Sequence, residues 1–209
     1  MSKYVLVPDS FKGTMTSREI CEIMQHAIER IDSDAKIISV PVADGGEGSV
    51  DAFLSALGGK RKAITVTGPH FEKLSSSYGI TDDGTAVIEM SACAGLPLVY
   101  GKKNPELTTT YGVGELICNA ARSGARRIVI GLGGSATNDG GCGAAAAAGI
   151  KFYDKSGKSF IPVGRTLKDI ASIDYSGLDS ALSGVSISAM CDVDNPLLGE
   201  TGAANVFGP

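Results

Sequence analysis

Four aspartates stand where apolar runs give way to small residues. They are Asp9 in Val7-Pro8-Asp9-Ser10, Asp44 in Val42-Ala43-Asp44-Gly45-Gly46-Glu47-Gly48, Asp139 in a glycine-rich stretch, and Asp192 in Met190-Cys191-Asp192-Val193-Asp194. Each apolar run reads as a strand, and open α/β sheets bind ligands outside the carboxyl ends of their strands. If the four turns converge, they bring together carboxylates, bare backbone amides and Lys12. Carboxylates can hold Mg²⁺ or accept a proton from an attacking hydroxyl, while amides and a lysine hold phosphate oxygens. That combination suits phosphoryl transfer from a magnesium nucleotide, in which positioning and charge neutralisation supply most of the rate.

The third turn is the densest. Gly131-Leu132-Gly133-Gly134-Ser135-Ala136-Thr137-Asn138-Asp139-Gly140-Gly141-Cys142-Gly143 carries six glycines in thirteen positions, two hydroxyls, an amide and a carboxylate. Its glycines leave the backbone open to close approach, and its composition fits a loop that holds an anion, a metal or a hydroxy acid. Gly131-x-Gly133-x-x-Ala136 matches the dinucleotide pattern formally, but the residues after it are too rich in glycine to open a clean helix. An NAD(P)-dependent hydroxy-acid oxidoreductase is the rival enzyme reading, and a non-catalytic ligand-binding fragment is the rival outside catalysis. No Gly-x-x-x-x-Gly-Lys-Ser/Thr sequence occurs, nor a Gly-x-Ser-x-Gly elbow near either histidine, which argues against a P-loop and a serine hydrolase.

Hydrophobic spacing predicts the elements that carry these turns. Tyr4 to Val7 and Ile37 to Val42 read as strands. Between them Thr16-Ser17-Arg18-Glu19 matches a capping box, followed by a helix with Ile20, Ile23, Met24, Ala27, Ile28 and Ile31 on its core face. A second helix turns Val50, Phe53, Leu54 and Leu57 inward and stops at Gly58-Gly59. The strand–helix order implies parallel strands. From about residue 65 the pattern changes: Ala63 to Thr67, Ser77 to Ile80 and Thr85 to Met90 read as strands, the last two joined by the hairpin turn Thr81-Asp82-Asp83-Gly84. A helix from about Gly112 to Arg122, with Val113, Leu116, Ile117 and Ala120 inward, precedes the strand at Arg127 to Ile130, a hairpin follows Lys151-Phe152-Tyr153-Asp154, and Val185 to Met190 is the last strand. The expected division is residues 1–64, a parallel unit, and residues 65–209, a mixed α/β unit.

Composition narrows the partners. Lys and Arg number 19 against 23 Asp and Glu, a net charge of −4, without the basic field that nucleic acid attracts. Five scattered cysteines, no Cys-x-x-Cys pair and two histidines argue against zinc and for reduced thiols. No segment approaches membrane-spanning length. The expected setting is cytoplasmic, with no nucleic-acid or membrane partner.

The blocks Pro8-Asp9-Ser10-Phe11-Lys12-Gly13, Ala43-Asp44-Gly45-Gly46-Glu47-Gly48, Thr108-Thr109-Thr110-Tyr111-Gly112-Val113-Gly114-Glu115, the 131–141 stretch and Cys191-Asp192-Val193-Asp194-Asn195-Pro196-Leu197 together resemble the bacterial glycerate kinase family. The resemblance implies an ATP- and Mg²⁺-dependent kinase acting on D-glycerate. It implies two α/β domains with the site between them: a flavodoxin-like one built from both ends of the family's chain, and an inserted one. Family chains run to nearly twice this length, so the resemblance covers an amino-terminal portion. The carboxyl-terminal completion of the first domain is then absent, and a partner subunit, a homo-oligomer included, is one way to cover the strand edge this leaves. The expected roles follow from the chemistry of the matching blocks. Asp44, Asp192 and Lys12 are expected to be catalytic. Asp9, Ser10, Gly45, Gly46, Glu47, Gly133, Gly134, Ser135, Thr137, Asn138, Gly140 and Gly141 are expected to bind substrate or nucleotide, and Asp139 and Asp194 to hold the metal.

Overall fold

The computed structural model describes residues 1–11 and 13–208; Lys12 and Pro209, and with Lys12 one expected catalytic position, lie outside the described residues. Strands Lys3–Leu6 (β1) and Lys36–Ser39 (β2) pair in parallel, Lys3 opposite Lys36 and Leu6 opposite Ser39. The connecting helix Ser17–Glu29 (α1) opens on the expected capping box: the Thr16 hydroxyl accepts the Glu19 amide at 3.2 Å, and Glu19 accepts the Thr16 amide at 2.7 Å.

The core stripe expected on α1 is only partly covered. Ile20 and Cys21 are buried, but Ile23 is 56% exposed, Met24 40% and Ile31 90%. A two-stranded sheet is too narrow to cover a full helix face, so the apolar periodicity outruns the surface available to bury it. The next helix, Ser49–Leu57 (α2), turns away from this sheet and packs on the second one. Val50 is fully buried there, while Leu57, expected inward, is 50% exposed.

The second sheet has five strands: Lys60–Thr67 (β3), Lys73–Ile80 (β4), Thr85–Glu89 (β5), Arg127–Gly131 (β6) and, last in sequence, Ser186–Met190, in the spatial order last strand–β6–β5–β4–β3. The β3–β4–β5 meander is antiparallel, whereas β6 is parallel to both β5 and the last strand. β4 begins four residues earlier than its hydrophobicity suggested. Its polar run Ser75-Ser76-Ser77 is still strand because Ser76 is buried and donates to the Ala92 carbonyl at 3.0 Å. The turn Thr81-Asp82-Asp83-Gly84 closes the β4–β5 hairpin as predicted, with the Thr81 amide on the Thr85 carbonyl at 3.0 Å.

After β5 come the single turn Ser91–Ala94 (α3) and the helix Tyr111–Arg122 (α4), which crosses from β5 to the parallel β6. Val113, Leu116 and Ala120 of α4 are buried with Val66, Tyr78, Ile88 and Ile128 in the main core, as the spacing predicted. Cys142–Ala147 (α5) follows the glycine-rich turn and packs along α4. Lys151–Tyr153 (β7) and Ser159–Phe160 (β8) form the expected hairpin, and Ser172–Asp174 (β9), which no pattern announced, completes a three-stranded antiparallel sheet. The last strand is thus β10, and Ala203–Phe207 (α6) ends the described chain. Strand β3 runs unbroken through residues 64 and 65. The fold is α/β, one small parallel sheet beside a mixed sheet.

Candidate active site

The strand-end turns meet through a chain of backbone contacts. The Ser17 hydroxyl at the start of α1 donates to the Pro8 carbonyl at 2.7 Å and accepts the Val42 amide at 3.1 Å, which ties the turn carrying Asp9 to the one carrying Asp44. The Gly133 amide then donates to the Gly45 carbonyl at 3.1 Å, and the Leu132 amide to the Met190 carbonyl at 3.2 Å. One continuous rim therefore runs from Pro8 through residues 42–46 and 131–134 to the residue before Cys191, Asp192 and Asp194.

Glycine serves this rim in an unexpected way. A Cβ on Gly131 would lie 2.2 Å from the Gly45 carbonyl oxygen, and one on Gly133 would lie 2.8 Å from the Gly46 Cα. Real Cβ contacts do not come that close, so the bare backbone at these positions admits the neighbouring turn rather than a ligand. Of the four glycines expected to offer amides to phosphate, Gly133 donates to Gly45 and Gly141 donates to Asp139 Oδ1 at 3.0 Å. Gly134 and Gly140 are exposed, and a Cβ on Gly140 would meet nothing within 4 Å. Gly141 is exposed as well and a Cβ on it would also meet nothing within 4 Å, but its amide is taken by Asp139.

Asp44 is exposed on the rim, and one of its oxygens accepts the Gly46 amide at 3.1 Å. It does not cap the next helix, whose N-cap is Gly48, nor does Asp9 cap α1, whose N-cap is Thr16. Asp9 is exposed and accepts the Ser10 amide at 2.7 Å. Glu47, Asp192 and Asp194 are exposed, and Ser10 is half-buried. The hydroxyls of Ser135 and Thr137 bond to each other at 2.8 Å, with Asn138 half-buried beside them.

Asp139 is placed differently from the other aspartates. It is 1% exposed, and both its oxygens are met from within the protein. Oδ2 accepts the Thr110 amide at 2.8 Å, the Thr110 hydroxyl at 2.9 Å and the Gly143 amide at 3.2 Å; Oδ1 accepts the Gly141 amide. The Thr110 hydroxyl in turn accepts the Ala144 amide at 2.9 Å. Buried, and with both oxygens accepting from the protein, this carboxylate braces the glycine-rich turn against the start of α4. Thr108 and Thr109 are fully buried, and the Thr108 hydroxyl donates to the Ala136 carbonyl at 2.7 Å.

Sequence reasoning missed Glu89 at the end of β5. It is 7% exposed, and its Oε1 accepts the Val50 amide at 2.7 Å. Burial pushes its carboxyl above the usual range, against the opposing pull of the Val50 amide it accepts. A glutamate ending an apolar strand, Thr85-Ala86-Val87-Ile88-Glu89, was the available signal.

Among the described residues no group of three or more His, Cys, Asp or Glu side chains is placed to hold a metal ion. A Mg²⁺ ion that arrives with a nucleotide needs only one or two carboxylates, its other ligands being water and phosphate. Asp192 and Asp194 fit that limited demand, being exposed at the end of the rim; Asp139 does not. Elsewhere, a cavity of about 460 Å³ on the β7–β8 hairpin, lined by Asp154, Lys155 and Lys168 among others, contains none of the rim residues. Among the described residues no helix is long and apolar enough to cross a membrane.

The sequence profile described as Glycerate kinase family matches residues 4–209. The chain belongs to the glycerate kinase family. It is 47% identical to the Glycerate 2-kinase of Escherichia coli (strain K12) over 209 residues, 99% of this chain and 55% of that protein. It is also 47% identical to the Glycerate kinase of Bacillus subtilis (strain 168), again over 99% of this chain and 55% of the relative. The crystal structure of a Salmonella typhimurium LT2 protein provisionally named glycerate kinase 2 matches with a TM-score of 0.86 at 42% identity, over 100% of this chain and 57% of that one. The chain thus spans just over half the length of the glycerate kinases it matches, and the rim lies wholly within the shared part.

Proposed function

We propose that the chain carries the strand-end rim of an ATP-dependent kinase that phosphorylates D-glycerate, giving 2-phosphoglycerate. One observation carries this reading: the Gly133–Gly45 and Leu132–Met190 contacts bring the Asp44 turn, the glycine-rich turn and the segment with Asp192 onto one edge. Membership of the family and the name of the Escherichia coli relative support the substrate and the position phosphorylated.

In this reading a glycerate hydroxyl attacks the γ-phosphorus of ATP, the bond to the bridging oxygen of ADP breaks, and the hydroxyl proton passes to the carboxylate of Asp44 or Asp192. The exposed backbone at Gly134 and Gly140 holds phosphate or the glycerate carboxylate, with Ser10, Glu47, Ser135, Thr137 and Asn138 around it. Asp192 and Asp194 hold Mg²⁺, whose contribution is to offset phosphate charge. Asp139 acts only through the loop it braces. The unit around the β1–β2 sheet and the mixed-sheet unit are the two walls of the cleft, and the activity is cytoplasmic.

The test is to incubate the chain with ATP, Mg²⁺ and D-glycerate and to resolve the phosphoglycerate formed. The 2-isomer is expected; the 3-isomer alone corrects the position, and no product from a folded sample, both alone and mixed with the carboxyl-terminal part of a family member, overturns the kinase reading. NAD(P) raising the melting temperature where ATP and glycerate do not would favour the oxidoreductase.

A further inference from the structure

We propose that Glu89 is a positioning residue of this site: reaching from the end of β5, its carboxylate holds the 44–48 turn in register with the glycine-rich turn. The inference rests on the kinase reading, which it deepens. Glu89 pairs across the sheet with Gly131, and the next residue, Met90, donates its amide to the Gly131 carbonyl at 3.0 Å. Its backbone is therefore fixed to the first residue of the glycine-rich turn. Its side chain reaches the head of α2, just past the other turn, accepting the Val50 amide at 2.7 Å.

This is one of the amides that a helix start leaves without a partner. Gly48, at φ +94, has no side chain to cap α2, so the acceptor comes from a different element. A serine or aspartate at position 48 would cap a helix at little cost in burial. A carboxylate brought in from β5 is expensive to bury, but unlike a local cap it joins two loops. Immediately before Gly48, the Ser49 hydroxyl holds the Gly46 carbonyl at 2.8 Å and Gly45 receives the Gly133 amide. Releasing Glu89 thus frees the backbone that presents Asp44, while α2 keeps its packing through Val50. Arg61 and Asp51, which pair with each other at 2.8 Å, act on Glu89 in opposite directions, Arg61 drawing its carboxyl down and Asp51 pushing it up.

Amide hydrogen exchange and steady-state kinetics on the 209-residue chain test this with Glu89→Ala and Glu89→Gln. In Glu89→Ala, exchange at residues 46–50 should accelerate about tenfold, the cost of one charge-assisted hydrogen bond, with β5 and β6 amides unchanged. Its kcat should fall about tenfold with KM for ATP within about twofold, the split expected when orientation rather than binding is lost. Glu89→Gln, which keeps one acceptor oxygen, should recover most of both effects. Unchanged exchange at 46–50 overturns the proposal. So does faster exchange spread equally over β5 and β6, or local loosening with kcat unaltered. If Glu89→Ala does not fold, Glu89→Gln decides by the same criteria, with about threefold effects expected. A wild-type chain without turnover, alone and mixed with the carboxyl-terminal part of a family member, overturns the kinase reading and is seen before any variant is made, whereas the exchange data still decide whether Glu89 holds the turn.

Discussion

The Thr110 hydroxyl lies 2.9 Å from Asp139 Oδ2 and the Thr110 amide 2.8 Å from the same atom, so one residue at the head of α4 grips a carboxylate 29 positions away with both its donors. The contact converts the most functional-looking aspartate of the glycine-rich turn into an internal fastener. It also separates two kinds of aspartate that are alike in sequence: those that shape the site and those that are exposed in it.

Replacing Asp139 should therefore damage folding first. Asp139→Ala leaves the Thr110, Gly141 and Gly143 amides buried or half-buried without their acceptor, and urea unfolding should show a loss of about 3 kcal/mol. Asp139→Asn, which keeps one acceptor oxygen, should cost less.

Gly143→Ala probes the same fastener from the other side. Its Cβ would lie 2.2 Å from the Thr109 hydroxyl oxygen and 2.7 Å from Asp139 Oδ2, both held in place, so a loss of about 2–3 kcal/mol is expected by urea titration. Gly140→Ala meets nothing within 4 Å but has φ +60, and should lose only about 1 kcal/mol.

Asp44 and Asp192 should behave in the opposite manner. Both are exposed, so Asp44→Asn and Asp192→Asn should leave the melting temperature within about 2 °C. Loss of the proton acceptor should lower kcat by about 10²–10⁴ in whichever variant removes the base. Unchanged turnover in both would remove them from the chemistry.

Asp83 sets a pH dependence away from the site. The Thr81 hydroxyl, the Thr85 amide and Arg127 together hold its carboxyl down to about 2. A folded-state value below the unfolded one means that the unfolded chain binds more protons in this window. The stabilisation is therefore complete above pH 4 and lost as pH falls from about 4 to about 2. Urea midpoints measured across that range should drop more steeply for the wild type than for Asp83→Asn.

Much of the fold was legible locally. The capping box at Thr16, the hairpin turn at residues 81–84 and the α4 stripe each depend on residues within a few positions of one another. Strand β4 began earlier than expected because Ser76 is buried through a bond to Ala92, a partner that no window of hydrophobicity contains. The α1 stripe was read correctly as apolar, but its burial depends on how wide a sheet lies beneath it.

The site divides along the same line. Which turns are candidates for chemistry was determined by the sequence, because glycines, hydroxyls and carboxylates crowded after an apolar run are a local composition. Their order along the chain was also enough to suggest the family. Only the tertiary structure decided what each one does: that Gly131 and Gly133 admit a neighbouring turn, that Asp139 is spent on Thr110, and that Glu89 reaches Val50 from 39 residues away. The reason is that a carboxylate's role is set by which donors surround it and whether water reaches it, and both are properties of segments far apart in the chain.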